Sequence, residues 1–211
     1  MVSDRKIRTV ARENERGAFA AGTGPVDRAT LGERLRLIRK ERGWTLAEVS
    51  DRSGLAVSTI SKVERGRMSL AYDKFVQLAD GLGLDVAELF APSGREFARR
   101  SVAVTRAGEA ECHETDLYVY EMLCSELRNK QMIPMAGRIK AHDVREFRDF
   151  VRHRGEEFLI VLSGTLEVHL EGREPILLEP HECIYFDSSM GHAYVSAGVA
   201  DATVVVVCWK P

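Results

Sequence analysis

Residues 45–66 read TLAEVSDRSGLAVSTISKVERG. Thr45 and Glu48 stand three apart, the spacing at which a threonine hydroxyl and a glutamate carboxylate each satisfy an N–H in the first turn of a helix. Gly54 suits the left-handed turn that closes such a helix. Ile60 and Val63 then share one face of a second short segment, which Gly66 ends. Two short helices joined by a glycine turn are the minimum of a helix-turn-helix, in which the first braces the duplex backbone and the second lies in the major groove. On that reading Val57, Ser58, Thr59 and Ser61 reach base edges, while Lys62 and Arg65 meet phosphates. Thr45 completes the candidate nucleic-acid set.

The flanking sequence carries the same helical period. LGERLRLIRKERG (31–43) spaces Leu31, Leu35 and Ile38 on one face; YDKFVQLADGLG (72–83) does so with Phe75, Leu78, Ala79 and Leu82; LDVAELF (84–90) makes a last short helix. The run from Leu35 to Phe90 resembles the five-helix, lambda-repressor-like DNA-binding domain of XRE-type regulators, and TISKVERG (59–66) is its most specific part. The resemblance implies sequence-specific binding to a double-stranded, near-palindromic DNA operator as a homodimer. The chain departs from the family at Ala56, where a capping serine is usual; alanine has no side chain to satisfy the first-turn N–H groups.

After APSGREFARR (91–100) the period changes. LYVYEML, FLIVL, TLEVHLEG, PILLEP, CIYF and TVVVVCW are short β-rich runs split by glycine, proline or charged turns, which predicts an all-β barrel or sandwich. Within this half, VRHRGEEFLIVLSG (151–164) and EPHECIYFDSSMGHAY (179–194) resemble the two motifs of the cupin superfamily, a jelly-roll barrel. By that resemblance His153, Glu157 and Gly164 match the second histidine, the glutamate and the glycine of the first motif, and His192 matches the histidine of the second. Val151 stands where the first motif has its first histidine. His153, Glu157 and His192 remain as a two-histidine, one-carboxylate face. Such a face can hold a divalent metal (Zn, Mn, Fe or Ni), can bind a small-molecule effector with or without metal, or can be only a hydrogen-bonded polar group. Tyr185 alternates with Ile184 and Phe186, so one parity faces inward, and Tyr185 joins His153, Glu157 and His192 as an effector candidate. His181 is expected on an outward-facing turn, and His113, His142 and His169 at the surface.

The chain of 211 residues therefore reads as two modules: a disordered tail (1–29), a helical DNA-binding domain (30–91), a linker (92–100) and a cupin sensing and dimerisation domain (101–211). The formal net charge of −2 divides unevenly: residues 1–95 carry 17 Lys+Arg against 13 Asp+Glu, or +4, and residues 96–211 carry 13 against 19, or −6. A basic half suits a phosphate backbone. No apolar run approaches the ~20 residues of a membrane span, and MVSDRKIRTVARENERG lacks the apolar stretch of a secretory signal, so a cytoplasmic protein without membrane contact is expected. Cys112, Cys124, Cys183 and Cys208 show no C-x-x-C pattern and are expected to be mostly buried free thiols. These readings converge on an effector-responsive transcriptional regulator that is not an enzyme. The competing reading is a metal-dependent cupin oxygenase or isomerase with an appended helix-turn-helix; a third is a helical module that docks protein rather than DNA.

Overall fold

The structure, a computed structural model, describes residues 28–84, 89 and 94–209. Of the tail expected at 1–29, residues 1–27 lie outside these residues and Arg28 and Ala29 instead begin the first helix; most of the fifth helix expected at 84–90 also lies outside. Four helices are described: α1 (Arg28–Glu41), α2 (Leu46–Ser53), α3 (Val57–Glu64) and α4 (Tyr72–Leu82). Thr45 caps α2 reciprocally with Glu48, its hydroxyl accepting from the Glu48 N–H at 3.2 Å while the Thr45 N–H donates to the Glu48 carboxylate at 2.7 Å. Gly54 ends α2 and Gly83 ends α4, both left-handed.

Helix contacts within the domain are close because two crossings are built on glycine. A Cβ on Gly32 of α1 would sit 2.3 Å from the Val63 carbonyl oxygen on α3, and one on Gly81 of α4 would sit 2.5 Å from Ser53 Cα on α2. No side chain can occupy either place without moving backbone. Leu31, Leu35, Val49, Ile60, Val63, Phe75, Leu78 and Leu82 fill the space between the helices and are all buried. Ala56 is the N-cap of α3 and makes no side-chain cap bond, as the sequence departure implies. Ala56→Ser is expected to raise the stability of this domain by about 1 kcal/mol; a chemical-denaturation midpoint that fails to rise would show that the α3 N-terminus is already satisfied.

The second half folds as two antiparallel sheets facing each other, the jelly-roll arrangement of a cupin. We number its strands β1 (Arg95–Glu96), β2 (Glu111–Glu114), β3 (Tyr118–Met122), β4 (Leu127–Arg128), β5 (Met132–Ile139), β6 (Glu156–Ser163), β7 (Leu166–Leu170), β8 (Ile176–Leu178), β9 (Cys183–Asp187), β10 (His192–Ser196) and β11 (Ala202–Trp209). One sheet runs β2-β3-β5-β11-β6-β9 and the other β10-β7-β8. Residues 95 and 96, expected in a linker, form β1, which pairs in parallel with β4. Period-2 burial along β6, β7 and β11 places Leu159, Val161, Leu166, Val168, Val204 and Val206 between the sheets.

The two halves share one apolar core. The start of α4 and the turn before it lie against β2 and the barrel mouth. The Ser69 hydroxyl donates to the Glu114 carbonyl at 2.8 Å, His113 Nε2 lies 3.0 Å from the Leu70 carbonyl, and the His113 ring meets Phe75 edge-on at 4.6 Å. His113 is therefore 3 % exposed, a correction to its expected surface position. It sits outside any cupin motif because its role is to join the domains.

Candidate nucleic-acid interface and barrel site

The face of α3 opposite Ile60 and Val63 is open. Val57 is 43 % exposed, Ser58, Lys62 and Arg65 are exposed, and Thr59 and Ser61 are half-buried at the edges of that face. The helix is rigidly seated, because Glu64 at its end is buried and takes a two-pronged bond from Arg39 of α1: Nε to Oε1 at 2.6 Å and Nη2 to Oε2 at 2.8 Å. Arg39 also donates to the Trp44 carbonyl at 2.9 Å, fixing the lead into α2. Arg65 Nε turns back to the Ser61 carbonyl at 3.0 Å, leaving the rest of its guanidinium along the exposed side. Thr45 is exposed, but its hydroxyl also donates to Glu48 at 2.8 Å, so its principal work is to cap α2. That bond and the Thr45 N–H hold the Glu48 carboxyl below the usual range. Sequence reading missed Trp44, whose ring lies between the guanidiniums of Arg42 and Arg52 at 5.1 and 4.2 Å. These contacts orient two cations beside the bracing helix without neutralising them.

Between the barrel sheets, Glu157, His153 and His192 converge, as the cupin resemblance implies. Glu157 projects inward from β6 and is 3 % exposed. His153 Nε2 lies 2.9 Å from Glu157 Oε2, and His192 Nε2 lies 3.7 Å from the same oxygen. The Tyr194 hydroxyl, two residues beyond His192 on the same face of β10, donates to Oε1. Val151 takes the vacant histidine position and pairs its backbone with His192, N to O at 3.0 Å in both directions. The group that fills in chemically is Cys208 of β11. It is the cross-strand partner of Glu157, and its thiol points at Oε2 from 3.5 Å. His153, Glu157 and Cys208 offer ligand atoms all within 4.8 Å of one another, with His192 beside them. The sequence signal was present: Cys208 has the inward parity of Val204 and Val206 in TVVVVCW, but without the β6–β11 register nothing tied it to Glu157.

Two corrections accompany this. Tyr185 faces outward: it is 64 % exposed and its hydroxyl donates to Glu156, while Phe186 is the inward residue of β9. Of the four thiols only Cys208 is buried; Cys183 is exposed and Cys112 and Cys124 are intermediate. His181 lies exposed on a turn with a left-handed backbone, as expected.

The electrostatics mark Glu157 as the fixed charge of the site. Burial pushes its carboxyl up, but the His153 hydrogen bond, the two imidazoles and the Tyr194 hydroxyl together hold it below the ordinary carboxylate value. Burial, then the Glu157 charge, push the Cys208 thiol well up, so it remains protonated and donates. Burial draws His192 down. Its Nδ1 lies 2.9 Å from the Met190 carbonyl and so carries the ring proton, which leaves the Nε2 lone pair aimed toward the carboxylate. A lone pair and a carboxylate facing each other require a cation or a bridging donor between them. Two imidazoles, a carboxylate and a thiol converging in this way fit a divalent metal, and the thiol favours softer ions such as Zn and Fe over Mn. An outer hydrogen bond from the far ring nitrogen to a backbone carbonyl is the usual support for a metal-binding histidine. The enclosed space beside these groups is about 30 Å³, lined by Tyr72, Tyr118, Tyr120, His153, Glu157 and Cys208 among others.

Fold and site together define a two-domain protein with a helix-turn-helix whose α3 face is exposed and an apolar barrel that holds one buried polar group. A helix-turn-helix domain family matches residues 30–90 and a cupin domain family matches residues 145–208. An uncharacterised helix-turn-helix transcriptional regulator of Sinorhizobium fredii is 35 % identical over 66 residues, which is 31 % of this chain and 86 % of that protein. The regulator SutR of Escherichia coli is 24 % identical over 169 residues, covering 80 % of this chain and 88 % of that one. A crystal structure of an HTH_3 family transcriptional regulator from Vibrio cholerae superposes with a TM-score of 0.58 at 17 % identity, over 88 % of this chain and 98 % of that chain, and supports the fold. The chain belongs to the XRE-type helix-turn-helix transcriptional regulators and carries a C-terminal cupin domain. Among the described residues, no helix is long and apolar enough to cross a membrane.

Proposed function

We propose that this protein is a cytoplasmic, homodimeric regulator that binds a near-palindromic operator through α3 and adjusts that binding according to a small-molecule effector, with a divalent metal at His153, Glu157 and Cys208 and His192 adjacent. The observation that carries the reading is the pairing of an exposed α3 face with a buried, charged donor set in the domain against which the helical domain docks. A bound metal would supply a fixed positive charge able to anchor an anionic or hydroxylated effector. Two-fold symmetry sets the half-sites about one helical turn, ~34 Å, or a multiple apart. The proposal is regulation without catalysis, supported by the small space beside the donor set, about 30 Å³, which suits a water-sized guest or an ion.

Footprinting on the chain's own upstream region, followed by anisotropy titrations, tests the reading. Protection of a near-palindrome at physiological salt is the expected result; affinity no better than for random duplex would overturn it. Replacing Ser58 and Thr59 together by alanine is expected to relax base preference, each lost base contact being worth roughly 1–3 kcal/mol of discrimination. Lys62→Gln is expected to weaken all sequences alike and to reduce the salt slope by about 1. If neither variant changes DNA binding, α3 is not the reading helix.

A further inference from the structure

Tyr72 is the first residue of α4, so by chain position it belongs to the DNA-reading domain. Its side chain belongs to the barrel. It is 7 % exposed, its ring stands edge-on to His153 at 5.3 Å and tilted against Tyr120 at 6.5 Å, and it lines the barrel cavity together with Glu157 and Cys208. Within that cavity Cys208 donates to Glu157, and Glu157 accepts from His153 and Tyr194. A side chain of the helical domain therefore lies beside the hydrogen-bonded group around the buried carboxylate. At the junction of the two domains a groove of about 770 Å³ runs from Ser69 and Asp73 to Val151 and Arg152 and shares Tyr118 and Val151 with the inner cavity, where only about 30 Å³ remains and Tyr72 is, among the described residues, the one lining residue that the helical domain supplies.

We propose that Tyr72 is the closing wall of the barrel site, so that any guest larger than an ion enters by displacing this side chain and, with it, the start of α4. The inference rests on the regulator reading and supplies its missing link: the same side chain is both part of the ligand cavity and part of the reading head. Tyr72 cannot leave alone, because Ser69, Leu70 and Phe75 on either side of it are tied to Glu114 and His113 of β2. A guest that replaces the phenol must supply an apolar body between His153 and Tyr120 and a polar end that suits the cavity of Glu157 and Cys208. Hydroxyl- or amine-bearing small molecules meet that description. Once the phenol is out, the contacts that fix the angle between α4 and the barrel are weakened, and the two α3 helices of a dimer lose their set spacing.

The test uses the full chain, treated with chelator so that no metal shields the thiol, and methyl methanethiosulfonate as a small neutral probe of Cys208, read by peptide mass spectrometry. Tyr72→Ala is expected to speed Cys208 labelling roughly tenfold or more, as expected for loss of a local closing contact, while Cys112 and Cys124 keep their rates. Tyr72→Phe retains the ring and is expected to label within about threefold of the native chain. Equal Cys208 rates in the native and Ala chains, both folded by thermal melting, would overturn the closing role. If Tyr72→Ala does not fold, Tyr72→Leu gives the same comparison. In the native chain, labelled Cys208 carries a methylthio group inside the small cavity that Tyr72 lines, and amide hydrogen exchange across residues 72–79 is expected to quicken; unchanged exchange would overturn the coupling. Neither readout involves DNA, so a chain that binds no operator would sink the regulator reading while leaving the result on Tyr72 legible.

Discussion

Glu64→Ala is expected to destabilise the helical domain by about 1.5–3 kcal/mol, because it removes a two-pronged charged hydrogen bond and leaves the half-buried Arg39 guanidinium with only the Trp44 carbonyl. Both side chains are largely withdrawn from water, at 14 % and 7 % side-chain exposure, and the pair is joined by two parallel bonds. The Glu64 bond is the main cause that raises the Arg39 basicity above its ordinary value. A surface pair at the same spacing would be worth far less, since water and salt would replace what is lost. The penalty here is mainly that of an uncompensated charge, so removing both members should recover most of it: Arg39→Met with Glu64→Leu is expected to be much closer to the native chain than either single change. Calorimetry should show the loss in the helical domain's transition. A Glu64→Ala chain within about 1 kcal/mol of native would mean that the Trp44 carbonyl and water suffice for Arg39. The pair also bears on function, since it pins the end of α3 to α1 and so holds the reading face at a fixed angle.

What the sequence revealed and what it hid divide along physical lines. Local rules were readable where one short segment carries the whole cause: the Thr45–Glu48 box, the left-handed Gly54, and the uncapped Ala56 all stand in the structure as their residues dictate. The apolar faces of α1 and α4 were readable for the same reason. Strand β5 was harder, because Pro134 and Gly137 depress strand propensity within MIPMAGRI. The fold tolerates both: β3 pairs with β5 only from Met135 onward, and Gly137 gives way to the Val204 side chain, which would lie 3.0 Å from a Cβ there. Non-local facts were not readable. Cys208 reaches Glu157 only through the β6–β11 register, His113 is buried only because the helical domain docks on it, and Tyr72 looks like one more apolar position of a helix until the barrel is placed against it. Tyr185 failed as a candidate because alternation fixes two faces without saying which is inner; Phe186 settles it by filling the core.

Glu157→Ala is expected to cost about 3–5 kcal/mol in the barrel and to abolish whatever metal the purified chain carries. The carboxylate is the common acceptor for His153, Tyr194 and Cys208, and its removal leaves three buried donors facing a void. Glu157→Gln keeps the shape and one carbonyl acceptor, so it should retain more stability but lose the charge that a cation needs; elemental analysis of untagged protein separates the two effects. The pH dependence follows in the same direction from both ends of the site. Glu157 is held below its ordinary value of 4.5, so the stability it contributes is full above that pH and is lost as pH falls through the folded value. His192 is drawn below 6.5 by burial, so between 6.5 and its folded value the unfolded chain binds the extra proton and the native state weakens as pH falls. The metal-free native chain should therefore lose melting temperature steadily on acidification from pH 6.5. Glu157→Ala should remove the part of that loss below pH 4.5 that belongs to the carboxylate. An acid limb identical in the two chains would mean that Glu157 is already neutral in the folded protein, and the site would then have no fixed charge with which to hold either a metal or a cationic guest.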